Sequence, residues 1–154
     1  MMISIRYRFI FIHIAKTGGT SLREALSRQT WRDPYRIPQA LCSRISGLFG
    51  HRLGCKIPRH ARAVAAREML PRELFDRCFK FAFVRNPWDL QVSSYHHIRR
   101  ERPRLMTAAG IRDFESFLRW KLDGNRPYHY IVDTSIQQQA DYLVDLHGKT
   151  IVDF

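Results

Sequence analysis

The segment Phe9-Ile10-Phe11-Ile12-His13-Ile14-Ala15-Lys16-Thr17-Gly18-Gly19-Thr20-Ser21-Leu22 constrains this chain more than any other. It opens as a short apolar, β-favouring run, the pattern of a strand buried on both faces. The run ends in Lys-Thr-Gly-Gly-Thr-Ser, after which Leu22, Ala25 and Leu26 follow the i, i+3, i+4 spacing of a packed helix face. Strand, glycine turn and hydroxyl-rich helix start predict an anion cradle. The glycines let the backbone come close, the first N–H groups of the helix point at the anion, and Lys16 adds a full charge. Lys16 precedes the glycines, and no glycine stands four or five residues upstream. The loop is therefore not the G-x-x-x-x-G-K-[ST] loop that holds ATP or GTP. A Gly-Gly pair alone also marks solvated turns, so a second motif has to support the reading.

That motif follows a second apolar run, Phe79-Lys80-Phe81-Ala82-Phe83-Val84. Arg85-Asn86-Pro87-Trp88-Asp89 turns the chain there into a helix with Ser93 and Tyr95. Arg85 offers a planar, permanently charged fork to phosphate oxygens, and Ser93 lies about two helical turns further on with one hydroxyl to donate. Pro87 fixes the turn and starts the helix. Trp88 reads as a core residue closing that turn rather than as an adenine platform. Both motifs leave the carboxyl end of a strand, the edge at which open α/β sheets bind ligands.

Taken together, the motifs resemble those of the sulfotransferases. The likeness is greatest to the membrane-type carbohydrate sulfotransferases and their bacterial relatives, whose first strand ends in a similar His-Ile-Pro/Ala-Lys-Thr-Gly-Gly-Thr-Ser segment. It extends through His60-Ala61, Phe75 to Tyr95 and Tyr142 to Phe154 and leaves out 30–57 and 99–112. It implies a single domain over 1–154 with the P-loop-like sulfotransferase fold, an α/β arrangement of three layers in which helices flank a parallel sheet. The implied sulfuryl donor is 3′-phosphoadenosine 5′-phosphosulfate (PAPS). Lys16, Thr17, Gly18, Gly19, Thr20 and Ser21 would hold its 5′-phosphosulfate, Arg85 and Ser93 its 3′-phosphate, and no metal is required. The implied reaction is in-line transfer to an acceptor hydroxyl, on an acidic or neutral glycan, with Lys16 at the bridging oxygen. His60 is the first choice of general base. His13 reads as a buried residue behind the loop that helps to orient it, His51, His96 and His97 are less defined, and Glu68 and Asp89 stay open as bases or partners. In the family the chain runs on past a Val-Asp-Phe segment into a Gly-Arg-Phe-Glu-Asn stretch and further helices. Ending at Phe154, this chain is expected to be a minimal or truncated form lacking the C-terminal part of the family domain.

The rest of the chain sets outer bounds. Its 154 residues suit one domain with a real core, and 45% apolar with 26% charged residues is ordinary for a globular protein. A net charge of +12 predicts an anionic partner. Cys42, Cys55 and Cys78 are odd in number and lack C-x-x-C spacing, which argues against a disulfide framework or zinc cluster. No apolar run approaches the roughly 20 residues of a membrane span, and no signal peptide is legible, so a cytoplasmic protein is expected. Residues 1–8 read as a basic lead-in, and 30–59 as an irregular excursion with one short helix around Ala40 to Leu48. Helices are expected over Ala61 to Met69 and after Pro71, and from Asp113 with Phe114, Phe117, Leu118 and Leu122 inward. Tyr142 to Phe154 reads as a small hairpin. Two other readings compete. A small kinase would want its lysine after the glycines and a carboxylate, not Arg85, at the second strand end. A basic module for nucleic acid or acidic glycan, or a catalytically impaired relic, would use Arg99 to Arg104 and the arginine-rich 52–72 region. No nucleic-acid motif accompanies those arginines.

Overall fold

The computed structural model describes residues 1–34, 36–37, 40–41 and 57–154. It is a mixed α/β chain that divides into two compact units. One comprises Met1–Ile14, Gly18–Phe83 and Gln138–Phe154, and the other Ala15–Thr17 and Val84–Gln137.

The first unit is built on a sheet of order β1 (Met2–Ser4), β2 (Phe9–Ile12) and β3 (Phe79–Ala82). β2 and β3 pair in parallel, Phe9 opposite Phe79 and Ile12 opposite Ala82, as the two apolar runs predict. β1 is antiparallel to β2, with Met2 opposite Phe11. The sheet expected to be wholly parallel is thus mixed, and the supposed lead-in begins with a buried strand. The reason is local. Charge starts only at Arg6, and Ile5 to Arg8 reverse the chain, with Arg8 at φ 52°. Buried Asp33 clamps this turn, accepting hydrogen bonds from the Ser4 hydroxyl and from the backbone N–H groups of Ile5 (3.3 Å) and Arg6 (3.1 Å).

Strand alternation sends Ile3, Ile10, Ile12 and Ala82 to one face. The core there is completed by α2 (Ala63–Met69), α3 (Arg72–Arg77) and the 3-10 turn Gln139–Tyr142, through Ala63, Ala66, Leu70, Phe75 and Tyr142. Ile10 and Ile12 are fully buried, each contributing about 1.5–3 kcal/mol. Phe9, Phe11, Phe79, Phe81 and Phe83 line the other face, with ring centroids 5.3 to 6.4 Å apart. Phe79 and Phe83 stay exposed, so β3 is not enclosed on both faces as its composition suggests. Lys80 is buried instead, its ammonium on the Cys78 carbonyl (2.7 Å) and the Asp153 carboxylate (3.1 Å). The expected tail hairpin is reduced to one antiparallel bridge, Val144 with Thr150. Asp153 and Phe154 then run beside β3, bonding the Lys80 carbonyl (2.8 Å) and the Ala82 N–H (2.9 Å). α1 (Gly19–Gln29) follows the glycine loop.

The second unit is helical, with α4 (Pro87–Glu101), α5 (Pro103–Ala108), α6 (Phe114–Leu122) and α7 (Tyr130–Asp133). Tyr95, Ile98, Met106, Ile111, Phe117 and Val132 form its core. Asn86 caps α4 through the Trp88 N–H with Pro87 at the first position, and Asp113 caps α6 in a reciprocal box with Ser116. Pro103 ends α4, as its ring predicts, and also opens α5, a helix not expected from the sequence. Trp88, expected in the core, is 80% exposed. Leu90, Ser94, Tyr95 and Ile98 set the inward face of α4, and Trp88 lies about 200° round the helix from Leu90. Leu122 is likewise outward, because Phe117 and Lys121 take the buried positions of α6. The helix expected around Ala40 to Leu48 falls for the most part outside the described residues, as do Cys42, His51 and Cys55. Among the described residues no helix is long and apolar enough to cross a membrane.

Candidate functional site

β2 delivers the chain to His13, which is 3% exposed, and α1 starts six residues later. Gly18 is the N-cap at φ 82°, a left-handed turn that favours glycine. Gly19 is required for a different reason. A Cβ there would stand 2.2 Å from His13 Cδ2 and 2.5 Å from its Nε2, so the imidazole sits where a side chain would go. α1 has no side-chain cap and no acidic residue in its first turn. Its first N–H groups and the positive end of its dipole thus have no side-chain cap, and Thr20 and Ser21 beside them are exposed.

His60 packs against His13, with ring centroids 4.6 Å apart and Nδ1 2.9 Å from the His13 carbonyl oxygen. A carbonyl only accepts. Nδ1 therefore carries the proton, and the lone pair of the neutral ring is on Nε2. Burial lowers the His60 pKa from 6.5, and burial together with the neighbouring His60 lowers that of His13 to about 3. Both rings are neutral at pH 7. His13 Nδ1 is buried with no hydrogen-bond partner among the described residues.

In the second unit Lys16 takes a left-handed backbone, φ 66°, sparsely populated for a residue with a side chain. Its carbonyl accepts a hydrogen bond from Arg85 Nη1 at 3.3 Å, so these two sequence-predicted residues are brought together. Burial, then the charges of Arg100 and Arg85, lower the Lys16 pKa, and Glu101 opposes them. Burial, then Lys16, lowers that of His97. Half-buried Ser93 shares its side of α4 with His97, Arg100 and Glu101 at i+4, i+7 and i+8. The sequence assigns His97 no defined role, and its i+4 spacing from Ser93 is the signal that places the two on one side of the helix. Of the other candidates, Glu68 pairs with Arg67 on α2 at 3.1 Å, while Asp89 and His96 are exposed on α4.

Chemically, one unit offers an uncapped helix start with a neutral imidazole, and the other a lysine, an arginine and a serine hydroxyl suited to anionic oxygens. A protein-family model described as "Sulfotransferase family" matches residues 1–146. Comparison with curated proteins and with solved structures returns no match.

Proposed function

Because the chain belongs to the sulfotransferase family, we propose that it moves a sulfuryl group from PAPS to an acceptor hydroxyl on a carbohydrate, on a P-loop-like, three-layer scaffold. The observation that carries the reading is the start of α1, uncapped and free of acidic residues, directly behind a left-handed Lys16 and Gly18. The residues fit the donor. Open space surrounds Gly18 where a Cβ would be, and every charged group assigned to the donor is a cation.

Bound, the donor supplies an electrophilic sulfuryl group on a phosphate leaving group. The backbone N–H groups of Gly18 to Ser21 and the hydroxyls of Thr17, Thr20 and Ser21 hold the 5′ end. Lys16 offsets the negative charge that grows on the departing phosphate oxygen. Arg85 and Ser93 hold the 3′-phosphate. His60 Nε2 takes the proton of the acceptor hydroxyl, which turns that oxygen into the nucleophile. The lowered His60 pKa keeps the ring unprotonated below the usual histidine range, so the acid limb of kcat/KM should fall below pH 6.5. The net charge of +12 supports an acidic glycan over a neutral one.

The test is calorimetric titration of 3′-phosphoadenosine 5′-phosphate, the desulfated product, into wild type, Lys16→Ala and Arg85→Ala, with ATP alongside. Preference over ATP that collapses in Arg85→Ala supports the donor. Equal binding of the two nucleotides would overturn it, and steep salt-dependent nucleic-acid binding untouched by Lys16→Ala would put the basic module in its place.

A further inference from the structure

Lys121, on α6, is 1% exposed, and its ammonium lies inside the second unit on three neutral oxygens. These are Gln91 Oε1 at 2.6 Å, Ser135 Oγ at 2.8 Å and Ser94 Oγ at 3.2 Å. Gln91 Nε2 donates to the Ser135 carbonyl (3.3 Å), and the Ser94 and Ser135 hydroxyls lie 3.1 Å apart. The cluster clamps one turn of α4, Gln91 to Ser94, to α6 and to the segment after α7. Ser93 is inside that turn.

A buried ammonium is costly and is ordinarily matched by a carboxylate. The charged groups facing Lys121 are Arg126 and Asp133. Those two form an ion pair with each other, 7% and 21% exposed at their side chains. The cluster thus keeps a surplus positive charge. A purely structural role would be met by an apolar side chain of similar length, without that cost.

We infer that Lys121 is a positioning residue for the 3′-phosphate limb of the site. It fixes the rotation of α4 that presents Ser93, and it lends buried positive charge to an anion held by Ser93 and Arg85. The inference rests on the donor reading above.

The experiment is calorimetry of 3′-phosphoadenosine 5′-phosphate and adenosine 5′-phosphate, which lacks the 3′-phosphate, on wild type and Lys121→Met. Both ligands would be followed from about pH 7, where the phosphates are already doubly ionised, to about pH 9.5. The ratio of the two affinities isolates the 3′-phosphate and cancels effects on Lys16. Wild type should favour the 3′-phosphorylated ligand, and Lys121→Met should cut that ratio about tenfold while leaving adenosine 5′-phosphate affinity unchanged. In wild type the ratio should also fall as pH rises through about 8, where Lys121 loses its proton, and this fall should vanish in Lys121→Met. A ratio kept by Lys121→Met, or falling with pH alike in both proteins, overturns the inference alone. Should Lys121→Met not fold, a flat wild-type ratio across the same range overturns it. Wild type without any preference overturns the donor reading, and this inference with it.

Discussion

The two units each bury an ionisable side chain and treat it in opposite ways. In the first, His13 falls from 6.5 to about 3 and is neutral at pH 7. In the second, Lys121 falls from 10.5 to about 8 and is still charged there. Burial is the largest cause of both shifts. The surroundings differ. His13 faces His60, Arg59 and Arg23, all of which oppose a proton. Lys121 has three oxygens within hydrogen-bond distance and Asp133 nearby, set against Arg126. The first unit therefore holds a neutral ring against a glycine, and the second holds a buried charge. Burial alone decides neither outcome.

The contrast should be widest in acid. The folded-state pKa of His13 lies below the unfolded one, so the unfolded chain binds the extra proton, and stability falls as pH drops from 6.5 towards about 3. This one ring accounts for roughly 4–5 kcal/mol of that loss. Denaturant unfolding across pH should show the limb in wild type and a flatter one in His13→Asn, and an unchanged limb would break the comparison. Next in size is Gly19→Ala. The added methyl meets the His13 ring and should cost about 2–3 kcal/mol in the same assay. In a His13→Ala background the cost should shrink below about 1 kcal/mol, and equal costs in both backgrounds would mean that the ring is not what the glycine makes room for. Lys121→Met should carry the opposite sign, a gain of about 1–2 kcal/mol at pH 7 from relieving the buried charge. Between about pH 8 and 10.5 the folded wild type sheds this proton while the unfolded chain keeps it. Wild-type stability then rises and the gain should disappear; a gain that persists would argue for packing rather than charge. Smallest is Trp88→Ala, expected within about 0.5 kcal/mol because the ring is exposed.

What could be read from the sequence follows how local each cause is. The helix start after the glycine loop was legible because strand, glycines and helix are consecutive, and the start of α6 because the Asp113 cap acts within three residues. The Asn86 cap of α4, by contrast, was not read beside Pro87. The parallel pairing of β2 with β3 followed from two apolar runs. The antiparallel β1 was missed because a three-residue strand carries little pattern, and because Asp33, which holds its turn, lies 27 to 29 residues away. Trp88 was misplaced because composition says that tryptophan packs, whereas the phase of α4 decides which way it faces. The Lys121 cluster joins three separate segments through side chains that are polar and unremarkable one by one, and no spacing rule reveals it. That a Cβ at Gly19 would meet the ring of His13 is not legible from the Gly-Gly pair, because the two residues meet only once the loop has turned.

The parallel register of β2 and β3 also governs how this chain comes to fold. It joins residues about seventy positions apart, so a long loop must close before any ladder bond rewards it. The helices of the second unit draw on nearer neighbours, Val132 and Ser135 among the last of them, and can form once the chain has been made that far. During synthesis β2 emerges early and waits. Until the chain has been made through Ala82, the strand that leads into the glycine loop has no parallel partner, and the core over Ile10 and Ile12 does not close until Tyr142 follows.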